Sequence, residues 1–167
     1  IGKKQQVMDS YRILTRAYQQ RGEIDEAEGV IERWRELAEE EGSDLHRAHC
    51  LRNLGMVHWR RGEYDEAVRD LNEALQIYDR NDDKEKMAKV YKNLGDVHGE
   101  KENYDSSVEY YNKSAELYGD KGHEYEQAHI VMNMGVIYSL QKDWKSASDY
   151  YGKSVDLAEE NKLPNTK

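Results

Sequence analysis

The chain has 167 residues, with 25 Lys and Arg against 34 Asp and Glu for a formal net charge of −9, one Cys, one Pro and no Phe. Hydrophobic residues reach only 37 % and charged ones 35 %, which argues for a thin, extended core, while 13 Tyr and 3 Trp argue against disorder. The lone Cys50 excludes a disulfide framework and a Cys-based zinc site, no apolar run approaches the roughly 18–20 residues of a membrane span, and the acidic balance argues against nucleic acid as a partner.

In chain order the sequence falls into four copies, at about 4–42, 43–82, 83–122 and 123–161, followed by a tail at 162–167. The first carries Ile13-Leu14-Thr15 and Gly22-Glu23-Ile24-Asp25-Glu26-Ala27. The second carries Asn53-Leu54-Gly55 and Gly62-Glu63-Tyr64-Asp65-Glu66-Ala67. The third has Asn93-Leu94-Gly95 and Glu102-Asn103-Tyr104-Asp105-Ser106-Ser107, and the fourth Asn133-Met134-Gly135 and Lys142-Asp143-Trp144-Lys145-Ser146-Ala147. Every column keeps a spacing of 40 residues without an insertion.

Each copy reads as two helices. Leu51, Leu54, Val57 and His58 follow three- and four-residue steps, as do Ala67, Leu71, Ala74, Leu75 and Tyr78. A link as short as Gly62-Glu63 permits only an antiparallel hairpin. Gly42-Ser43-Asp44, Asn81-Asp82-Asp83 and Lys121-Gly122-His123 separate the copies, and Asp82 with Glu85 has the spacing of a capping box. Gly55, Gly95 and Gly135 are expected to let the second helix approach the first, with Ala27, Ala67, Ser107 and Ala147 at the crossing and Ala74, Ser114 and Ser154 admitting the next copy. Leu14, Leu54, Leu94 and Met134, with Tyr18, His58, His98 and Tyr138, are expected to fill the remaining space. A single pair cannot bury both faces, so the expected fold is all-α, a right-handed superhelical solenoid of four antiparallel helix pairs.

The order Leu-Gly, an aromatic or His, then Gly-Glu-Tyr-Asp-Glu-Ala resembles the tetratricopeptide repeat over about residues 5–160. The 40-residue period is similar to the longer variety in kinesin light chains and Leu-Gly-Asn repeat proteins, and its six extra residues add about one and a half helical turns per pair. Two positions depart from the pattern. Thr15 replaces the helix Gly, and Trp34 stands in the column of Ala74, Ser114 and Ser154, where it either plugs the junction between the first two pairs, the favoured reading, or faces a partner.

The resemblance implies that the first helix of each pair lines a concave peptide-binding groove. Its columns hold Arg12 and Arg16 in the first copy; Arg52, Asn53, Met56, Trp59 and Arg60 in the second; Lys89, Lys92 and Asn93 in the third; and His129, Met132 and Asn133 in the fourth. With Asp9, Asp96 and Glu100 included, six positive residues outnumber three negative ones, leaving this face at +3 and the remainder of the chain at −12. That split points to an acidic ligand segment, the alternative being ordinary solvated helix charge. Asn53, Asn93 and Asn133 form a ladder which in related domains holds a peptide backbone, the alternative being a local bond. Trp59 and Met56 offer an apolar anchor, and Met132, Val136 and Leu140 turn the fourth copy apolar. Lys89 and Asn93 match part of the carboxylate clamp of chaperone-binding relatives, but Arg12 and Arg16 lack the Asn partner, so that clamp is not expected.

No cofactor, metal site or catalytic constellation is expected. His46 and His49 stand three apart on one helix but without a convergent acid or Cys, and Cys50 reads as a small buried hydrophobe. No basic–apolar–small leader precedes the first copy, so a cytoplasmic location is expected, and the initial Ile reads as the start of a piece of something longer. The leading expectation is a non-enzymatic scaffold module binding a protein or peptide ligand of acidic character, with neither nucleic acid nor membrane as partner. The alternative is a self-assembly module that forms a homo-oligomer through faces such as that around Tyr150, Tyr151, Val155 and Leu157.

Overall fold

A computed structural model describes residues 2–119 and 123–160. The Lys121-Gly122 part of the third break and the tail at 162–167 lie outside the described residues. Among those described there are eight helices and no strand: α1 (Lys3–Arg21), α2 (Ile24–Glu40), α3 (Asp44–Arg61), α4 (Tyr64–Arg80), α5 (Lys84–Glu100), α6 (Tyr104–Tyr118), α7 (Glu124–Leu140) and α8 (Trp144–Glu160). They form two compact units of two helix pairs each, one ending at Asp83 and one beginning at Lys84. In the first, α1 packs on α2, α2 on α3 and α3 on α4; in the second, α5 packs on α6, α6 on α7 and α7 on α8. The all-helical repeat of antiparallel pairs expected from the sequence is what the structure shows.

The turn inside each pair explains the Gly-Glu signature. Gly22 and Gly62 end α1 and α3 in the left-handed region, at φ 76° and 78°, which only glycine adopts without a Cβ penalty. Glu102 and Lys142 occupy the same column and are held at φ 60° and 62°. Asp82 is also left-handed, at φ 51°, and its N–H bonds the Asp79 carbonyl at 3.0 Å. It therefore terminates α4 and does not cap α5, which starts at Lys84 with Asp83 ahead of it. The capping-box expectation for Asp82 fails because a short Asp side chain tolerates the left-handed conformation that the end of α4 imposes.

The glycines and crossing residues work as expected in the second to fourth pairs, whereas Ser114 and Ser154, expected to admit the next copy, bond within their own pair. A Cβ on Gly55 would lie 2.9 Å from Leu71 Cγ, one on Gly95 2.6 Å from Tyr111 Cε1, and one on Gly135 2.8 Å from Tyr151. Ala27, Ala67, Ser107 and Ala147 are buried at the crossing, and Ser107 Oγ donates to the Gly95 carbonyl at 2.7 Å. Ser114 Oγ and Ser154 Oγ donate to the carbonyls of Ala88 and Ala128 at 2.7 and 2.8 Å, tying each second helix to the first helix of its own pair.

The first pair replaces both small residues of that contact, with Met8 for the alanine and Trp34 for the serine. Both are buried, in one cluster with Ile31, Ala38, Cys50, Leu54 and Val57. Trp34 thus plugs the junction between α2 and α3 and does not face outward. Leu14 differs from its column: it is 40 % exposed, against 4 % for Leu54 and 3 % for Met134. Leu54 clusters with Ile31 and Trp34, and Met134 with Tyr111 and Tyr118, from the preceding second helix. Leu14 has no such cover among the described residues.

Candidate ligand-binding surface

The candidate site residues on α1 and α3 belong to the first unit. Arg12 and Arg16 are exposed; Arg12 lies 3.5 Å from Asp9, one turn away, and Arg16 pairs with no carboxylate among the described residues. Arg60 is exposed and donates from Nη1 to the Gln19 carbonyl at 2.7 Å, closing the last turn of α1. Met56 and Trp59 are half-buried. Arg52 is half-buried too, and its Nε–H is fully enclosed with no acceptor. Leaving a charged donor unpaired in that position is costly in a chain holding 34 carboxylates.

Asn53 is buried, and its Nδ2 donates to the His49 carbonyl one turn back at 2.7 Å, so its amide N–H is used within its own helix. Beside it runs a chain of aromatic and imidazole groups. Trp34 Nε1 donates to His46 Nδ1 at 3.0 Å, His46 Nε2 meets the Gln5 amide at 2.7 Å, and His49 Nδ1 lies 2.5 Å from the Tyr78 hydroxyl. Because Nδ1 of His46 accepts from an indole, the ring is neutral; burial lowers its pKa, with Arg12 adding and Asp9 opposing. Both histidines thus serve the packing of the first unit. Among the described residues no group of three or more His, Cys, Asp or Glu could hold a metal ion. Cys50 is fully buried, and desolvation raises its thiol pKa far above the usual range.

The second unit carries its candidates on α5 and α7. Lys89 pairs with Glu85, and Lys92 Nζ lies 2.7 Å from Asp96 Oδ2. Asp96 also accepts from the Tyr111 hydroxyl at 2.8 Å and from Asn133 Nδ2 at 3.2 Å, both on Oδ1. This carboxylate ties Lys92, Tyr111 and Asn133 together, a role the sequence reading did not give it. The four-residue step from Lys92 to Asp96 was the available signal. Asn93 is buried, His129 half-buried and Met132 exposed. Burial lowers the His129 pKa, with Lys92 adding and Asp96 opposing. Lys92 and His129, with Tyr118, Tyr125, Glu126 and Ile130, line a depression of about 240 Å³.

The two faces therefore differ in charge. The first unit presents four arginines against Asp9; the second presents two lysines, both paired, with Asp96 and Glu100. All 11 arginines of the chain fall in the first unit, and the second holds 12 of the 14 lysines. Guanidinium groups grip carboxylates bidentately where ammonium groups act as point charges, so the two units are built for different polar chemistry.

Stacked antiparallel helix pairs in a 40-residue register define a helical repeat protein. A profile described as Tetratricopeptide repeat matches residues 7–80 and 86–160, and the chain belongs to that family. Among solved structures it is similar to BtubC (BKLC) from P. vanneervenii, with a TM-score of 0.81 at 19 % identity, covering 97 % of this chain and 67 % of that one. It is also similar to PilF of Pseudomonas aeruginosa, with a TM-score of 0.72 at 22 % identity, covering 93 % of this chain and 63 % of that one. The chain thus spans about two thirds of the length of either structure, and at these identities the likeness is one of fold. No curated protein matches the sequence.

Proposed function

We propose that this chain is a non-enzymatic, cytoplasmic protein-interaction module that binds an acidic peptide segment on the α1–α3 face of its first unit. Tetratricopeptide repeats generally mediate protein–protein contact, which supports the class. The observation that carries the acidic ligand is Arg16, exposed and without a carboxylate partner among the described residues, on a face that also holds Arg12, Arg52 and Arg60 against Asp9 alone. A ligand carboxylate would pair with the exposed Arg16 guanidinium, and the half-buried Met56 and Trp59 would take an apolar side chain. Asn53 keeps its carbonyl oxygen for a ligand N–H, and Arg12 and Arg60 add positive potential at the rim. On the second unit, Lys89, Lys92, Asn93, His129, Met132 and Asn133 would favour less acidic ligand segments, since the lysines are already neutralised and Met132, Val136 and Leu140 are exposed. Neither nucleic acid nor a membrane is part of this reading.

The test is titration of an acidic peptide and its amidated twin against the whole chain at low and high salt. Binding should prefer the acidic peptide, weaken with salt, and fall at least about tenfold in Arg16→Ala plus Arg52→Ala. Affinity indifferent to salt and to both substitutions would sink the proposal.

A second reading is self-association. On α7 and α8, Leu140 (53 %), Trp144 (67 %) and Val155 (54 %) are exposed, as is Ile13 (64 %) on α1. Exposed apolar surface of this kind favours a protein partner, a second copy included. Light scattering across a concentration series decides: a strict monomer eliminates this reading, and a dimer lost in Trp144→Ser supports it.

A further inference from the structure

The outer face of the second helix pair differs from the same face of the other three pairs. On α4, Arg69, Asn72, Glu73, Gln76 and Arg80 follow steps of three and four and share one side. The corresponding columns read Gly29, Glu32, Arg33, Glu36 and Glu40 in the first copy, and Glu109, Asn112, Lys113 and Glu116 in the third. The fourth copy reads Asp149, Gly152, Lys153, Asp156 and Glu160. Three copies thus place acids around one central base, and the second places bases and amides around one central acid. The repeat itself supplies the control: solvated charge on this helix face is acidic, and only α4 inverts it.

The inversion has a shape. Arg47 of α3 joins Arg69, Asn72, Glu73, Gln76, Ile77 and Arg80 around a recess of about 520 Å³ whose residues all belong to the first unit. Ile77 is buried at its floor, while Arg69 and Arg80 are exposed and pair with no carboxylate among the described residues. Arg47 is held loosely, with Nη2 3.5 Å from Glu73 and Nη1 3.3 Å from Asp44. Three guanidinium groups and two carboxamides around one recess supply more N–H donors than a single carboxylate can accept. A phosphoryl group, with three oxygens and about two charges at neutral pH, has the acceptors and the charge to match that supply and to compete with Glu73 for Arg47.

We propose that this recess is a phosphoryl-binding site, separate from the α1–α3 face that receives the acidic segment. The phosphoryl group could arrive free or on a phosphorylated side chain, and the experiment distinguishes the two. The whole chain, isotope-labelled, is titrated at constant ionic strength with pyrophosphate, and in parallel with a phosphoserine peptide and its unphosphorylated twin. Amide resonances of Arg47 and of residues 69–80 are followed.

Saturable shifts confined to those residues with pyrophosphate support the site and a free source. Saturation with the phosphopeptide but not its twin, at much weaker pyrophosphate binding, supports the site and a protein-borne source. In either case Arg69→Gln plus Arg80→Gln should weaken binding at least about tenfold, and Glu73→Gln should tighten it by freeing Arg47. Both variants alter exposed positions, and circular dichroism checks that helicity is kept. Shifts matched by sodium chloride at equal ionic strength, shifts centred on Arg12, Arg16 and Arg52, or indifference to both variants would overturn the proposal.

Discussion

Gly95→Ala tests the close helix approach on which the second, third and fourth pairs depend. A Cβ added there would meet the Tyr111 ring at 2.6 Å (Cε1), 2.7 Å (Cδ1) and 3.0 Å (Cζ). Ordinary carbon contacts begin near about 3.5 Å, so the ring must retreat by about 1 Å. It has little room to do so. Tyr111 is 3 % exposed, and its hydroxyl bonds Asp96, which also holds Lys92 and Asn133. Overpacking of this kind costs about 1–3 kcal/mol, and weakening the Tyr111–Asp96 bond adds about 1 kcal/mol. The better helix propensity of Ala returns about 1 kcal/mol. The expected net loss is about 1–3 kcal/mol. Gly152, on α8 of the same unit, has nothing within 4 Å of an added Cβ, so Gly152→Ala should gain about 0.5–1 kcal/mol from propensity alone. Urea denaturation followed by circular dichroism measures both variants, with unchanged slopes confirming comparable unfolding. Gly95→Ala proving as stable as Gly152→Ala would refute the account of why these glycines are present.

Trp34→Ala should cost about 3–5 kcal/mol by opening a cavity beneath α3, whereas Trp34→Phe should cost about 1–2 kcal/mol, mainly for the lost indole donor to His46; chemical denaturation separates the two. Glu102→Gly and Lys142→Gly should each raise the melting temperature, since a Cβ in the left-handed region costs about 1–2 kcal/mol, partly offset by the greater unfolded-state entropy of Gly. The lowered pKa values of His46, His98 and His129 mean that the unfolded chain takes up protons first on acidification. Stability should therefore fall as pH drops through about 6.5 and level off below the folded-state values. His46→Asn, which keeps an acceptor for Trp34 but does not titrate, should flatten that dependence in denaturation curves taken from pH 7.5 to 5.5, and an unchanged slope would remove His46 from the cause.

Much of the fold was legible because the code is local and repeated. The 40-residue register places Gly55, Gly95 and Gly135 in one column, and each meets a large side chain of the following helix. Trp34 was readable as a plug because it stands in a column of Ala and Ser, although Met8 opposite it gave no separate warning. Leu14 was misplaced because its column is buried only where a preceding second helix covers it. The candidate site was legible as a set of columns and not as chemistry. Counting charges treated Lys92 and Arg52 alike, yet Lys92 is bound to Asp96 while the Arg52 Nε–H has no acceptor.

What the sequence determined by itself is the helix-pair repeat and the close approach at its glycine column, since these depend on periodicity and on neighbours within about one turn or one hairpin. What only the tertiary structure decided is which polar groups are already spent. Asp96 gathers Lys92, Tyr111 and Asn133 from three helices, and Trp34 reaches across a junction to His46. Those pairings depend on side-chain reach between helices far apart in the chain. A column assigns a residue to a face, but only the packed geometry determines whether its charge is still available to a ligand.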